Sequence, residues 1–540
     1  MAERGTWVIP LSRGVVQMRR LLVVLALAMA AVGWPAALGA AGGRAAAAAA
    51  AAGSLQADFN NDGFVDLAVG APFESVGSVG GAGAVNVLYG SAGGLAGTGQ
   101  LFTQDSPGVA GTAERADQFG SALAAGDFNN DGFVDLAVGV VHEGVGAAIG
   151  AGAVNVLYGS AGGLTGSASQ QFWQGAGGVV GTAETEDEFG YALAAGDFDN
   201  DGFADLAVGV HFESIGSAAG AGVVNVLSGS AGGLTGSGSQ QFRQGAGGVS
   251  NVAEDNDQFG SALAIGNFNN DGFVDLAIGA PTETVFSTES AGAVNVLYGS
   301  AGGLTGTDSQ MLWEGPGGVT GNLEPGDLFG WALAAGDFNH NGFADLAVGL
   351  RGEDSDAGAL IVVYGSSGGL TGTGAQVFRQ GAGGVAGRSE LGDRFGYALA
   401  AGDFNQNGFD DLAIGVPLED IGAISDAGAI NILFGSAGGL TAASNQQFWQ
   451  GAGGVAGPAE RGDSFGYALA AGDFNHNGFA DLAVGVPFED IGAVSDAGAI
   501  NVLVGSAGGL TGTGGRQFWQ GTGGAAGTAE ANDQFGFAVT

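Results

Sequence analysis

The stretch "DFNNDGFVDLAVG" (residues 58–70) sets acid or amide side chains at every second position, adds a glycine, and then turns abruptly apolar. Counted from Asp58 as position 1, oxygens come from Asp58, Asn60 and Asp62 at 1, 3 and 5, from the carbonyl of Phe64 at 7 and from Asp66 at 9, with Gly63 at 6. Calcium takes six to eight hard oxygen ligands; alternate positions on a tightly turned loop aim oxygens at one point, and glycine permits the turn. The pattern is the first part of an EF-hand loop without its twelfth-position Glu, because Val69 stands there in the apolar run. An Asx-Gly turn bonding only its own backbone would account for Asn60 and Gly63. It would not account for three carboxylates within nine residues, which repel one another unless a cation lies between them.

The pattern returns six times. The further candidate ligand sets are Asp127, Asn129, Asp131, Phe133 and Asp135; Asp197, Asp199, Asp201, Phe203 and Asp205; and Asn267, Asn269, Asp271, Phe273 and Asp275. They continue with Asp337, Asn339, Asn341, Phe343 and Asp345; Asp403, Asn405, Asn407, Phe409 and Asp411; and Asp473, Asn475, Asn477, Phe479 and Asp481. The expected cofactor is therefore Ca2+, up to seven ions per chain. The third loop has four carboxylates, the first two have three each and the rest two, and affinity in such loops rises with ligand charge.

Successive loops start 69, 70, 70, 70, 66 and 70 residues apart. A Phe-Gly pair precedes each later loop by eight residues, at Phe119, Phe189, Phe259, Phe329, Phe395 and Phe465; a last pair, Phe535-Gly536, has no loop after it. Each period holds four short runs bounded by Gly, Asn, Asp or Ser, such as "FGSALAAGD" (119–127), "DLAVGV" (135–140), "GAVNVLYGS" (152–160) and "QQFWQG" (170–175). Those are strand signals, and four antiparallel strands per period predict propeller blades, with the Ala/Gly-rich run innermost. Thr540 falls three places before the next loop would need its equivalent of Asp58. The expectation is an all-β, seven-bladed β-propeller of four-stranded antiparallel blades, closed by a blade shared between the N- and C-termini.

The Phe-Gly pairs, the loops and the "VGAP" at 69–72 resemble the FG-GAP repeats of integrin α-subunit propellers, over residues 55–540. The resemblance implies calcium between the first two strands of a blade. Several copies lose the "GAP", as in "VGVVHE" (138–143) and "VGLRGE" (348–353).

Composition narrows the function classes. The formal net charge is −41, with no lysine and 13 basic residues that are all Arg. Nucleic acid is excluded as a partner, since it demands clustered cationic side chains. Gly reaches 112 of 540, yet hydrophobics make up 46% and Phe alone numbers 33, enough for a large core. Cysteine is absent, so stabilisation comes from packing or metals. From Met18, a candidate start, "MRRLLVVLALAMAAVGWPAALGA" has the layout of a secretory signal peptide. An uncleaved anchor is the other reading of that run, and Arg19-Arg20 leaves a twin-arginine route open. The organisation read here is a signal peptide at 1–41, an Ala/Gly-rich spacer at 42–54 and the propeller at 55–540. The mature chain is expected to be secreted or held at the cell surface, without a membrane span, as a monomer.

Away from the loops each repeat supplies a Glu after its second strand (Glu74, Glu143, Glu213, Glu283, Glu353, Glu419, Glu489), and each inter-blade segment adds a Glu and an Asp. These either cap turns or form an acidic ring for a basic partner. "RGDS" (461–464) aligns with ordinary inter-blade residues, Asp463 matching Asp117, Asp187 and Asp393. The four histidines, at 142, 211, 340 and 476, look scattered, and no nucleophile elbow or HExxH motif is present. The reading is a calcium-binding adhesion module for an extracellular protein or glycan, with no catalytic residues assigned. An extracellular hydrolase is one alternative, since some secreted phospholipases carry FG-GAP repeats; a structural cell-surface component is another.

Overall fold

Apolar runs of five or six residues, each bounded by Gly or Asx, are too short for helices and pair instead as antiparallel strands. The computed structural model describes residues 57–540. The chain divides into two units, Met1–Gly43 and Arg44–Thr540, and the described residues belong to the second. The expected signal peptide and spacer lie outside them.

The strands form seven four-stranded antiparallel sheets, a seven-bladed β-propeller. The second blade, for example, contains Phe119–Gly126, Asp135–Val140, Ala153–Tyr158 and Thr165–Phe172. Its second and third strands are buried along their whole length and pair Leu136 with Leu157 and Val138 with Asn155. The expected strand at 170–175 instead spans Thr165–Phe172, and Gln174-Gly175 lie in the turn that follows. That strand is the blade's outer edge, half open to water, so its opening "TGSAS" needs no apolar alternation and only the "QQF" that ends it carries a strand signal in sequence.

The Phe-Gly pair explains how blades lock together. Phe119, Phe189, Phe259, Phe329, Phe395, Phe465 and Phe535 are all fully buried, each contributing about 1.5–3 kcal/mol by burial. The glycine after each of them sets its carbonyl against a glycine in the second strand of the preceding blade. A methyl group there would lie only 2.1–2.3 Å from that oxygen, as for Gly139 against Gly190, Gly279 against Gly330 and Gly485 against Gly536. Two backbones thus approach too closely for any side chain, which is the physical content of the repeat's two glycines.

The strand Ala538–Val539 joins the first sheet beside Leu67–Ala71, pairing Val539 with Val69 and Ala538 with Gly70. Ala68 and Thr540 exchange backbone hydrogen bonds of 3.0 and 3.1 Å, and Gly536 N–H donates to Gly70 O at 3.1 Å. Further bonds cross from the last blade to the first: Ser91 N–H to Phe474 O at 3.2 Å and Gln520 Nε2–H to Glu74 Oε2 at 2.7 Å. The 66-residue interval has a local cause. The loop after Asp345–Leu350 is shortened to a helical turn, Glu353–Asp356, in which Asp354 and Ser355 take positive φ.

Candidate functional site

Six DxDxDG-type loops join the first and second strands of a blade, and the first, at 58–66, leads into the second strand Leu67–Ala71 of its blade, so all seven open on one face. In the first, Asp58 accepts from the N–H groups of Asp62 at 3.1 Å and Gly63 at 2.8 Å; Asn60 Oδ1 accepts from Asp62 N–H at 2.9 Å, and Asp62 Oδ1 from Phe64 N–H at 3.0 Å. Gly63 takes φ +88°. The fourth position is also left-handed throughout, at Asn61, Asn130, Asn200, Asn270, His340, Gln406 and His476. Asn tolerates that conformation best, which accounts for its frequency there.

The ninth-position Asp does more than its spacing suggests. Asp66 is fully buried; its Oδ2 accepts from Phe59 N–H at 2.9 Å and its Oδ1 from Gly90 N–H at 2.8 Å, tying the loop to the third strand. Asp135, Asp205, Asp275, Asp345, Asp411 and Asp481 repeat both bonds. Burial pushes all seven carboxyls up to about 7 against the pull of those donors. Loops also connect blade to blade: position 8 donates its N–H to the position 1 carbonyl of the preceding loop, as from Ala204 to Asp127 at 3.0 Å.

The loops differ in readiness for a cation. In the third, carboxylate oxygens of Asp197, Asp199 and Asp205 lie within 4.8 Å of one another. Asp201 stands outside that group, its Oδ1 accepting from Phe203 N–H at 3.0 Å. In the fifth, sixth and seventh loops the position 3 amide turns its nitrogen onto the ninth-position Asp: Asn339 on Asp345 at 3.1 Å, Asn405 on Asp411 at 3.0 Å and Asn475 on Asp481 at 2.7 Å. The buried Oδ1 atoms of Asn339 and Asn405 then have no hydrogen-bond partner, and half a turn of either amide would offer that oxygen to a cation. In the fourth loop Asn267 has one oxygen where the others have two, and it accepts only from Asp271 N–H at 3.1 Å. The donors are all oxygens, the chemistry calcium prefers, and they fit best in the third loop.

On the opposite face the Glu of most repeats is a link between blades. Gln104, Gln244, Gln380, Gln450 and Gln520 donate Nε2–H to Glu143, Glu283, Glu419, Glu489 and Glu74 at 2.6–2.8 Å. The inter-blade Asp caps its own turn, as Asp463 does by accepting from Glu460 N–H at 2.5 Å. Asp463 is buried, so the "RGDS" acid is spent inside the fold.

Two of the four histidines are not scattered. His142 and His211 approach the two oxygens of Glu188 at 3.4 and 3.7 Å, and His211 stacks on Tyr191 with centroids 3.6 Å apart. His340 and His476 pack edge-on against the position 7 rings of neighbouring loops, Phe409 and Phe64. Near the axis, rings from consecutive blades meet: Trp331 with Tyr397, Tyr397 with Tyr467 and Tyr467 with Phe537, at 5.2–5.8 Å. Each stands directly after a Phe-Gly pair, a position whose residue type varies too much between repeats to be singled out from sequence.

The FG-GAP repeat model matches residues 51–88, 119–157, 189–227, 259–297, 329–363, 395–433 and 465–503. Integrin alpha-3 of Cricetulus griseus is 34% identical over 177 residues, 32% of this chain and 16% of that protein. Integrin alpha-5 of Xenopus laevis is 29% identical over 241 residues, 43% of this chain and 20% of that protein. The phosphatidylinositol-glycan-specific phospholipase D of Rattus norvegicus is 37% identical over 156 residues, 29% of this chain and 18% of that protein. The matches thus span a fifth or less of these relatives' own length. With seven matched repeats, one for each blade, the chain belongs to the FG-GAP repeat family and forms a propeller of the integrin-α type.

Proposed function

We propose that the chain is a secreted, calcium-stabilised propeller that acts as an adhesion or binding module for an extracellular protein or glycan. One observation carries the binding reading. Among the described residues, the large hydrophobic side chains left exposed are Ile149, Val180, Val252, Phe286 and Leu391, at 43–81% exposure. All five sit in second-to-third-strand loops or inter-blade segments, which open on the face away from the DxDxDG loops. Apolar side chains set around one face of an otherwise acidic ring would offer anchor points to a docking partner. The loop face has the complementary role: calcium there offsets the crowding of carboxylates and stiffens the scaffold under the docking face. Residues 1–41 would direct export and 42–54 would act as a spacer.

Capture from culture supernatant, with immobilised parent and Phe286→Ser proteins, tests this reading. Phe286 is 77% exposed, so the variant should fold as the parent does and lose retained material. Equal capture by both proteins, or none by the parent, would refute it. The phospholipase D relatives favour one second reading, an extracellular hydrolase; turnover of a phospholipid or glycan panel that a single substitution abolishes would establish it.

A further inference from the structure

One junction between blades breaks the Gln–Glu rule. Where six blades carry Gln at the end of the fourth strand, the one before Phe329 carries Glu314, and it faces Glu353 with Asp327 beside them. The three side chains are 1–3% exposed, and oxygens of all three lie within 4.8 Å of one another. Glu314 Oε1 accepts from Asn322 N–H at 2.9 Å and Asp327 Oδ2 from Glu324 N–H at 2.7 Å, while Glu353 Oε1 pairs with Arg379 Nη2. Glu314 Oε2 and Glu353 Oε2 are buried with no hydrogen-bond partner. Replacing an amide by a carboxylate has removed the donor that Glu353 would have and added a second acceptor that needs one. Buried carboxylates without donors are costly, and a cation is what satisfies them.

We infer that Glu314, Asp327 and Glu353 form a divalent-cation site on the face opposite the DxDxDG loops. Charge supports this: three carboxylates and the Arg379 guanidinium leave two negative charges. So does donor type, since carboxylate-only sites suit calcium, magnesium or manganese. Two oxygens across one calcium, each 2.3–2.6 Å from it, stand at most about 5 Å apart, so the observed grouping already has the dimensions of a coordination shell. The ion would replace the amide link of the other six junctions with a metal link between the fourth and fifth blades. A proton shared between Asp327 and Glu353 is the competing way to relieve the repulsion.

Glu314→Gln separates the two, because Gln is the residue six blades already use here and the fold should accept it. After equilibrium dialysis of the full chain against calcium at neutral pH, elemental analysis should find about one ion fewer per chain in the variant. An unchanged count would overturn the site and leave the loop reading standing, since the variant touches no loop. Crystals of the parent soaked in manganese give an independent answer. Anomalous scattering between the three carboxylates supports the site; peaks at the loops with none here would refute it.

Discussion

The close contact between the two glycines of each repeat predicts a large effect from one methyl group. Gly279 has ordinary backbone angles, so alanine there is strained only by its surroundings; its Cβ would lie 2.2 Å from Gly330 O and 3.3 Å from Gly330 C. Carbon-to-carbonyl-oxygen contacts in proteins lie near 3.3–3.6 Å, so the backbones of adjacent blades must separate by about 1 Å. The oxygen is main chain and cannot rotate aside, and Phe329, the residue before Gly330, is fully buried. Overpacking of a well-packed site costs about 1–3 kcal/mol, sometimes more, and the upper end applies where the obstacle is backbone. Gly80 is the control: it also has ordinary angles, nothing lies within 4 Å of its Cβ position, and Gly→Ala there should be neutral or stabilise by about 0.4–1 kcal/mol. Thermal and urea unfolding of Gly279→Ala, Gly80→Ala and the parent, all in calcium, would measure this. Melting of Gly279→Ala together with Gly80→Ala would refute the interlock as the reason for the repeat's glycines.

Three further expectations concern closure, cations and pH. Deleting residues 533–540 removes buried Phe535, Phe537, Ala538 and Val539 and the pairing to Leu67–Ala71; the truncated ring should melt far lower and associate through its open edge, and a monomer of parental melting temperature by light scattering would contradict this. With dissociation constants of about 0.1–1 mM and millimolar calcium, linkage gives on the order of 1 kcal/mol per loop, so chelation should lower the melting temperature by many degrees and Asp197→Ala, which takes one carboxylate out of the third-loop group, should cut bound calcium by about one ion; a melting curve indifferent to chelator would return the loops to polar turns. Burial pushes Glu419 up to about 7, with the Gln380 amide pulling down and the Asp393 charge pushing up. A carboxyl raised in the folded state favours the protonated fold, so its cost is absent below its usual range near 4.5 and grows as pH rises towards 7. Glu419→Gln should therefore gain melting temperature over the parent as pH goes from 5 to 8, and a constant difference would show that the carboxyl does not titrate in that window.

Periodicity is written along the chain, so the sequence alone determined the blade count, the seven loops and the order of their acid and amide residues, and the pairing of Phe with Gly before each loop. A repeat that can bury its apolar face only against copies of itself leaves little freedom in architecture. What a residue touches beyond its own loop or strand is a different matter, because those contacts join positions far apart in the chain, as Gln104 with Glu143 or Ala204 with Asp127, and have no local signature. Asp66 reads as a ninth ligand, yet only the folded blade puts Gly90 N–H on its other oxygen. The outer strand Thr165–Phe172 is legible in the sequence only from residue 170, because an edge facing water imposes no apolar pattern on its first half. His142 and His211 come together only through Glu188, and Glu314 is one substitution among near-identical repeats until Asp327 and Glu353 close around it. Local spacing can specify a loop's own geometry, but burial, partner choice and the charge a carboxyl must bear are set by neighbours that tertiary packing supplies.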